Sequence, residues 1–156
     1  MKIKQEIEEM RYFLKEHLIY EINMFNLSLI KLVSLYSQKN KTPEEEFYIN
    51  LLLESYANHG RSLITFFCNK KIKYADDALA VHFFENADDW FRICGEKNEV
   101  LKNFIEYVGK HTMHLTYSRN KIAESKKGQD FSAHNPITEL IIKFKENLPE
   151  KYKGIL

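Results

Sequence analysis

The sequence predicts an all-α fold, an antiparallel four-helix bundle with a short helical insertion between its second and third long helices. Three observations lead there. Glycine and proline number only 5 and 3 among 156 residues, too few for the many turns of a sheet protein. Runs of β-branched residues are few, which removes the main strand signal. Apolar residues instead recur at steps of three or four over long stretches, the spacing that lays them along one face of a helix.

The first helix is expected from about Lys2 to about Gln38, because Ile3, Ile7, Met10, Leu14, Leu18, Ile22, Phe25, Leu29, Leu32 and Tyr36 keep that spacing. At about 1.5 Å per residue such a helix is roughly 50 Å long. That exceeds the diameter of a spherical domain of this size, so either the helix bends near Glu21 to Asn26 or the bundle is elongated. After a polar break at Lys39 to Lys41, Thr42, Pro43 and Glu45 supply an N-cap, a proline at the first helical position and a capping-box glutamate. The second helix then runs from Pro43 to about Cys68. Leu52, Tyr56, Leu63, Phe66 and Phe67 share its broad apolar face, and Glu54, Asn58, Arg61 and Thr65 the opposite one.

Asn69 to Ala75 reads as a basic loop containing Tyr74, after which Asp76 and Asp77 can cap a short helix carrying Leu79, Phe83 and Phe84. A second short piece, about Asp88 to Ile93, bears Trp90 and ends at Gly95. The third long helix is expected from about Lys97 to Glu124, with Leu101, Phe104, Val108, Leu115 and Ile122 in one stripe. Ser125 to His134 reads as a polar loop, and Asn135 with Pro136 opens a last helix that Pro149 stops after about Asn147. No internal repeat or low-complexity tract divides the chain, so residues 1–156 are expected to form a single helical domain.

Bulk properties narrow the function classes. Hydrophobic residues make up 44% and charged residues 29%, an ordinary globular balance that fits neither disorder nor a fibre. A formal charge of +1 supplies no global field for nucleic acid or an anionic membrane, so any polyanion must be held by a local patch. The N-terminal stretch is charged throughout, and nowhere do 18 apolar residues follow one another, so a cytoplasmic protein with no membrane partner is expected. Cys68 and Cys94 lack a CxxC spacing and lie in apolar stretches, where reduced buried thiols rather than a disulfide are expected.

Polar residues on apolar faces are informative, because burial without a partner is costly. His59 falls within the apolar arc of the second helix; as a core histidine it would meet a backbone carbonyl or a hydroxyl. Arg119 falls on the stripe of the third long helix and, if buried, requires a carboxylate or an anion; Asp76, Asp77 and Glu54 are the candidates. His111 and His114 share a flank of that helix with Tyr107 and Ser118. A metal there would require further ligands, from His59 or His82, and no HExxH or Cys pair supplies them, so no metal and no cofactor are expected. The binding candidates are His59, Arg61, Glu54, Asp76, Asp77 and Tyr117. No GxSxG elbow or glycine-rich phosphate loop occurs. Lys70, Lys71 and Lys73 form a basic run beside Tyr74, a ring that could stack on a base.

The stretch Glu54 to Phe67, ESYANHGRSLITFF, with Asp76, Asp77, Phe83, Phe84, Trp90 and then Lys110 to Arg119, KHTMHLTYSR, resembles a widespread set of uncharacterised bacterial helical proteins. That set is similar to the HEPN superfamily, the higher-eukaryote-and-prokaryote nucleotide-binding helical bundles. The resemblance covers roughly residues 45 to 122. It implies a HEPN-like bundle, a homodimer, and a nucleotide, RNA or protein partner, with metal-independent ribonuclease activity as one outcome. HEPN ribonucleases place a His four to six residues after an Arg on a late helix. Here His111 and His114 precede Arg119 instead, and the pair with similar spacing, Arg11 and His17, lies on the first helix. His111, His114 and Arg119 are the catalytic candidates in this reading. The alternative is a non-enzymatic structural or interaction bundle with an internal polar network.

Overall fold

A computed structural model describes residues 2–110 and 131–156, and no strand occurs among them. Helix α1 comprises three consecutive segments, Lys2–Tyr12, the π-helical Phe13–Leu18, and Ile19–Tyr36. In the π-helical turn the Ile19 N–H donates to Leu14 O, five residues back, where an α-helix reaches four. The departure from regular geometry therefore falls at Phe13–Leu18, whereas Glu21 to Asn26, the expected bend, is regular α-helix. Leu14, Leu18, Phe25 and Leu32 of the apolar stripe are buried, and Ile7, Met10, Ile22 and Leu29 pack beside them.

Helix α2, Pro43–Cys68, begins as the sequence implies: Glu45 N donates to Thr42 Oγ1 at 3.2 Å and Thr42 N to Glu45 Oε2 at 2.8 Å. It returns along α1 as an antiparallel hairpin. Ser28 Oγ meets Ser55 Oγ at 2.9 Å, the Phe25 and Tyr56 rings stack at 4.7 Å, Glu21 meets His59, and Phe13 stacks on Phe66 at 5.9 Å. Gly60 allows this approach, since a Cβ there would lie 3.0 Å from the rings of both Phe25 and Phe104.

The α2 helix ends against a small insertion. Helix α3, Ala87–Cys94, is capped by the Asn86 side chain, which accepts from Asp88 N at 3.0 Å, and closes on Gly95 at φ 73°, a conformation that costs glycine little. Its Trp90 is fully buried and donates to Phe67 O at 2.7 Å, satisfying a carbonyl that the last turn of α2 leaves without a helical partner. The expected cap by Asp76 and Asp77 does not form. The Asp77 carboxylate turns back to accept from Lys73 N at 2.6 Å and Tyr74 N at 2.8 Å, and the following 3₁₀ turn is only Ala80–Phe83.

Helix α4, Glu99–Val108, starts where Asn98 Oδ1 accepts from Leu101 N at 2.9 Å, and buries Leu101, Phe104 and Val108. Its expected continuation to Glu124, with Leu115 and Ile122, lies outside the described residues. Helix α5 is His134–Asn147. The end of the expected polar loop is instead a 3₁₀ turn, Phe131–Ala133, whose Phe131 ring packs edge-on against Tyr56 at 5.3 Å. Phe144 of α5 is the hub of the main aromatic cluster, 5.3 to 5.4 Å from Trp90, Phe66 and Phe67. A last turn, Glu150–Tyr152, returns to α1, where Tyr152 Oη donates to Met10 Sδ.

One face of α1 stays uncovered. Leu27, Ile30 and Val33 are each more than half exposed, and Phe47 on α2 likewise. Gln5–Tyr36 is the one helix among the described residues that is long and apolar enough to cross a membrane, with an 18-residue window of mean hydropathy 1.3 that is 22% buried. The core helix of a soluble protein passes the same test.

Candidate functional site: a polar cleft beside α2

The polar face of α2 is not turned to open solvent alone. Asn58, Arg61, Ser62 and Thr65 recur at helical spacing and form one wall of a cleft of about 920 Å³, within the size range of small-molecule sites. The opposite wall is the π-helical turn of α1 and the turn after it, with Phe13, His17 and Glu21. Widening the helix by one residue there sets His17 and Glu21 beside the buried Leu14 and Leu18 without moving those leucines out of the core. The loop after α2 closes the third side with Tyr74, Asp76, Asp77 and Ala78.

That loop is built by Asp77. Its carboxylate accepts the two backbone N–H groups of Tyr74 and Lys73, and these bonds hold its pKa below the usual aspartate value. Asp77 thus shapes the cleft wall through these two bonds. The Lys73 ammonium sits over the Tyr74 ring, 5.0 Å from its centroid.

His59 lies two residues before Arg61, on another side of α2, with its Nδ1 2.8 Å from Glu21 Oε2. Its partner is therefore a carboxylate, not the carbonyl or hydroxyl expected of a core histidine. The Tyr20 ring covers it edge-on at 5.6 Å. Arg61 is partly buried and forms no salt bridge with another described residue. A guanidinium so placed can take an anionic group from a ligand, while Asn58, Ser62, Thr65 and Asp76 supply polar contacts and Phe13 and Tyr74 flat apolar surface.

Of the residues singled out from sequence, Arg61, Asp76 and Asp77 line this cleft and His59 joins it through Glu21. Glu54 is exposed and is not among the cleft residues. His111, His114, Tyr117 and Arg119 lie outside the described residues. His82 is exposed and its Nδ1 takes the Leu79 N–H at 3.3 Å. Among the described residues no group of three or more His, Cys, Asp or Glu side chains is arranged to hold a metal. Sequence reasoning missed Glu21 and His17. A signal existed, because the two stand four apart on α1 and so face α2 together, but pairing them with α2 requires the hairpin register. The chain matches no known protein-family model, and no curated protein or solved structure matches it.

Proposed function

We propose that this chain is a HEPN-like helical module, an antiparallel four-helix bundle acting as a cytoplasmic homodimer, whose cleft beside α2 binds a nucleotide, free or as a unit of RNA. The observation that carries the reading is Arg61, a cation with no ion-pair partner among the described residues, set in a polar cleft of about 920 Å³ whose rim bears Tyr74. Arg61 takes the phosphate, the Tyr74 ring stacks on the base, and Asn58, Ser62 and Asp76 meet the sugar and base edges. The antiparallel α1–α2 hairpin, with α4 and α5 packed on α2, supports the bundle. The apolar face with Leu27, Ile30 and Val33 supports the dimer. Cleavage of RNA, within this reading, uses His111 or His114 as general base on the 2′-hydroxyl and Arg119 to stabilise the charged transition state.

Fluorescence anisotropy with nucleoside monophosphates and a short single-stranded RNA tests the binding, and Arg61→Ala is expected to weaken it by at least about tenfold. An RNA-cleavage assay on wild type and His111→Ala tests the chemistry. Sedimentation without detergent tests assembly: a dimer is expected at tens of micromolar, and a chain soluble only in detergent overturns the cytoplasmic reading. The Glu21–His59 contact favours a second reading, a non-enzymatic interaction bundle in which these residues form an internal polar network. Absence of nucleotide and RNA binding by the wild type selects it.

A further inference from the structure

Two helices end in cysteine, and the fold brings the two ends together. Cys68 closes α2, Cys94 closes α3, and their sulfurs lie 3.8 Å apart as free thiols. From there less than about 2 Å of mutual approach reaches the bond length of a disulfide.

The pair is reachable. A pocket of about 110 Å³ is lined by both cysteines, with Glu96, Asn98, Glu139 and Lys143 also in its wall. That is the space of a few water molecules, enough for a peroxide and too small for a bulky disulfide. Lys143 faces this pocket, and Lys97 is fixed nearby by donating to Asn69 Oδ1 at 2.9 Å. The negative ends of the two helix dipoles oppose a thiolate here, so it must be stabilised locally. The Cys68 S–H supplies the largest part, and Lys143 and Lys97 add to it, which lowers the pKa of Cys94. The same hydrogen bond, with burial, pushes Cys68 up. Cys94 is the sulfur that ionises first, and as a thiol it rests on Phe67 O at 3.6 Å.

We propose that Cys94 and Cys68 form a peroxide-reducing dithiol site, with hydrogen peroxide or another small hydroperoxide as substrate, Cys94 as the attacking sulfur and Cys68 as the resolving one. The Cys94 thiolate attacks the terminal peroxide oxygen. The O–O bond breaks, Cys94 becomes a sulfenic acid, and the departing hydroxide or alkoxide takes the proton that Cys94 had released. Cys68 then attacks Cys94 Sγ: the S–S bond forms, the S–O bond breaks, and hydroxide leaves with the Cys68 proton as water. Two thiols lose two electrons, and the peroxide gains them. The bond so formed ties the ends of α2 and α3 together at the root of the loop that bears Tyr74 and Asp77.

Treating the reduced protein with hydrogen peroxide, followed by alkylation and non-reducing mass spectrometry, tests this. Both thiols are expected to disappear together, giving an intramolecular Cys68–Cys94 crosslink that dithiothreitol reverses, at least about tenfold faster than free cysteine reacts at the same pH. In Cys68→Ser a sulfenic acid should accumulate on Cys94 and be trapped by dimedone. In Cys94→Ser the remaining thiol should react no faster than free cysteine. Lys143→Met should slow the first step several-fold with an unchanged circular dichroism spectrum. Persistence of both thiols, crosslinks only between molecules, or the rate of free cysteine overturns the site. Fast oxidation of Cys94→Ser overturns the assignment of roles.

Discussion

Glu21 Oε2 stands 2.8 Å from His59 Nδ1, so a carboxylate on α1 and an imidazole on α2 meet at the wall of the cleft. The side chains retain 31% and 17% exposure, and water competes for both. Glu21→Gln keeps the shape and an acceptor but removes the charge. Its expected cost is about 1 kcal/mol, read as a shift in the urea midpoint at unchanged slope. A loss above about 3 kcal/mol would mark the pair as dry and structural.

Gly60 is a point of close approach between α2 and the rings of α1 and α4. A methyl group there meets Phe25 and Phe104 at 3.0 Å. Overpacking costs about 1 to 3 kcal/mol, and the better helix propensity of alanine returns about 1. Gly60→Ala should therefore be destabilised by about 0 to 2 kcal/mol in chemical denaturation. A stabilised variant would show that the rings yield freely.

Trp90 is fully buried with its Nε1–H committed to Phe67 O at 2.7 Å. The native protein should emit as a buried indole, blue-shifted from the unfolded chain. Trp90→Phe keeps a ring against Phe144 but leaves the carbonyl only the weak contact of the Cys94 S–H at 3.6 Å, at an expected cost of about 1 to 3 kcal/mol in urea unfolding. A cost near zero would mean that the Cys94 S–H alone satisfies Phe67 O.

His134 is stacked on Phe25 at 4.9 Å, and burial holds its pKa below 6.5. The folded state thus binds fewer protons than the unfolded one. The contribution of this group is complete above pH 6.5 and is lost as the pH falls from there through the folded pKa. Wild type should lose stability between about pH 7 and pH 5, and His134→Phe should lose less over the same range. Equal slopes for the two proteins would show that His134 protonates as easily folded as unfolded.

What the sequence made legible was local. Thr42 with Glu45 at the start of α2, and Gly95 at the end of α3, mark helix ends through chemistry that spans a few residues, and the structure places those ends there; Asn135 with Pro136 mark the start of α5, which falls at His134. What it hid was tertiary or ambiguous. Glu21 meets His59 across 38 residues and Cys68 meets Cys94 across 26, separations about which periodicity says nothing. Asp77 could bond forward as a cap or backward as a turn, and local chemistry permits both; the backward bonds to Lys73 and Tyr74 form. His134 looked like the end of a polar loop because its burial comes from Phe25 and Tyr56 on other helices. Hydrophobic pattern also cannot say which of two apolar faces is covered, and α1 has both Leu32 at 0% and Ile30 at 61% exposure.

The π-helical turn Phe13–Leu18 holds one residue more than an α-helix needs for the same path. That surplus makes α1 unequal in its tolerance of length change. Removing exposed Lys15 or Glu16 should let the turn close to α geometry while Lys2–Tyr12 and Ile19–Tyr36 keep their phases. Removing exposed Asn23 instead turns everything before it by about 100° relative to α2 and carries Leu14 and Leu18 off the core. Thermal melts should find the first deletion folded and the second strongly destabilised. Variation in chain length along α1 is then permitted beside the cleft and excluded deeper in the hairpin, so a single-residue gap reshapes the His17 wall without unfolding the protein.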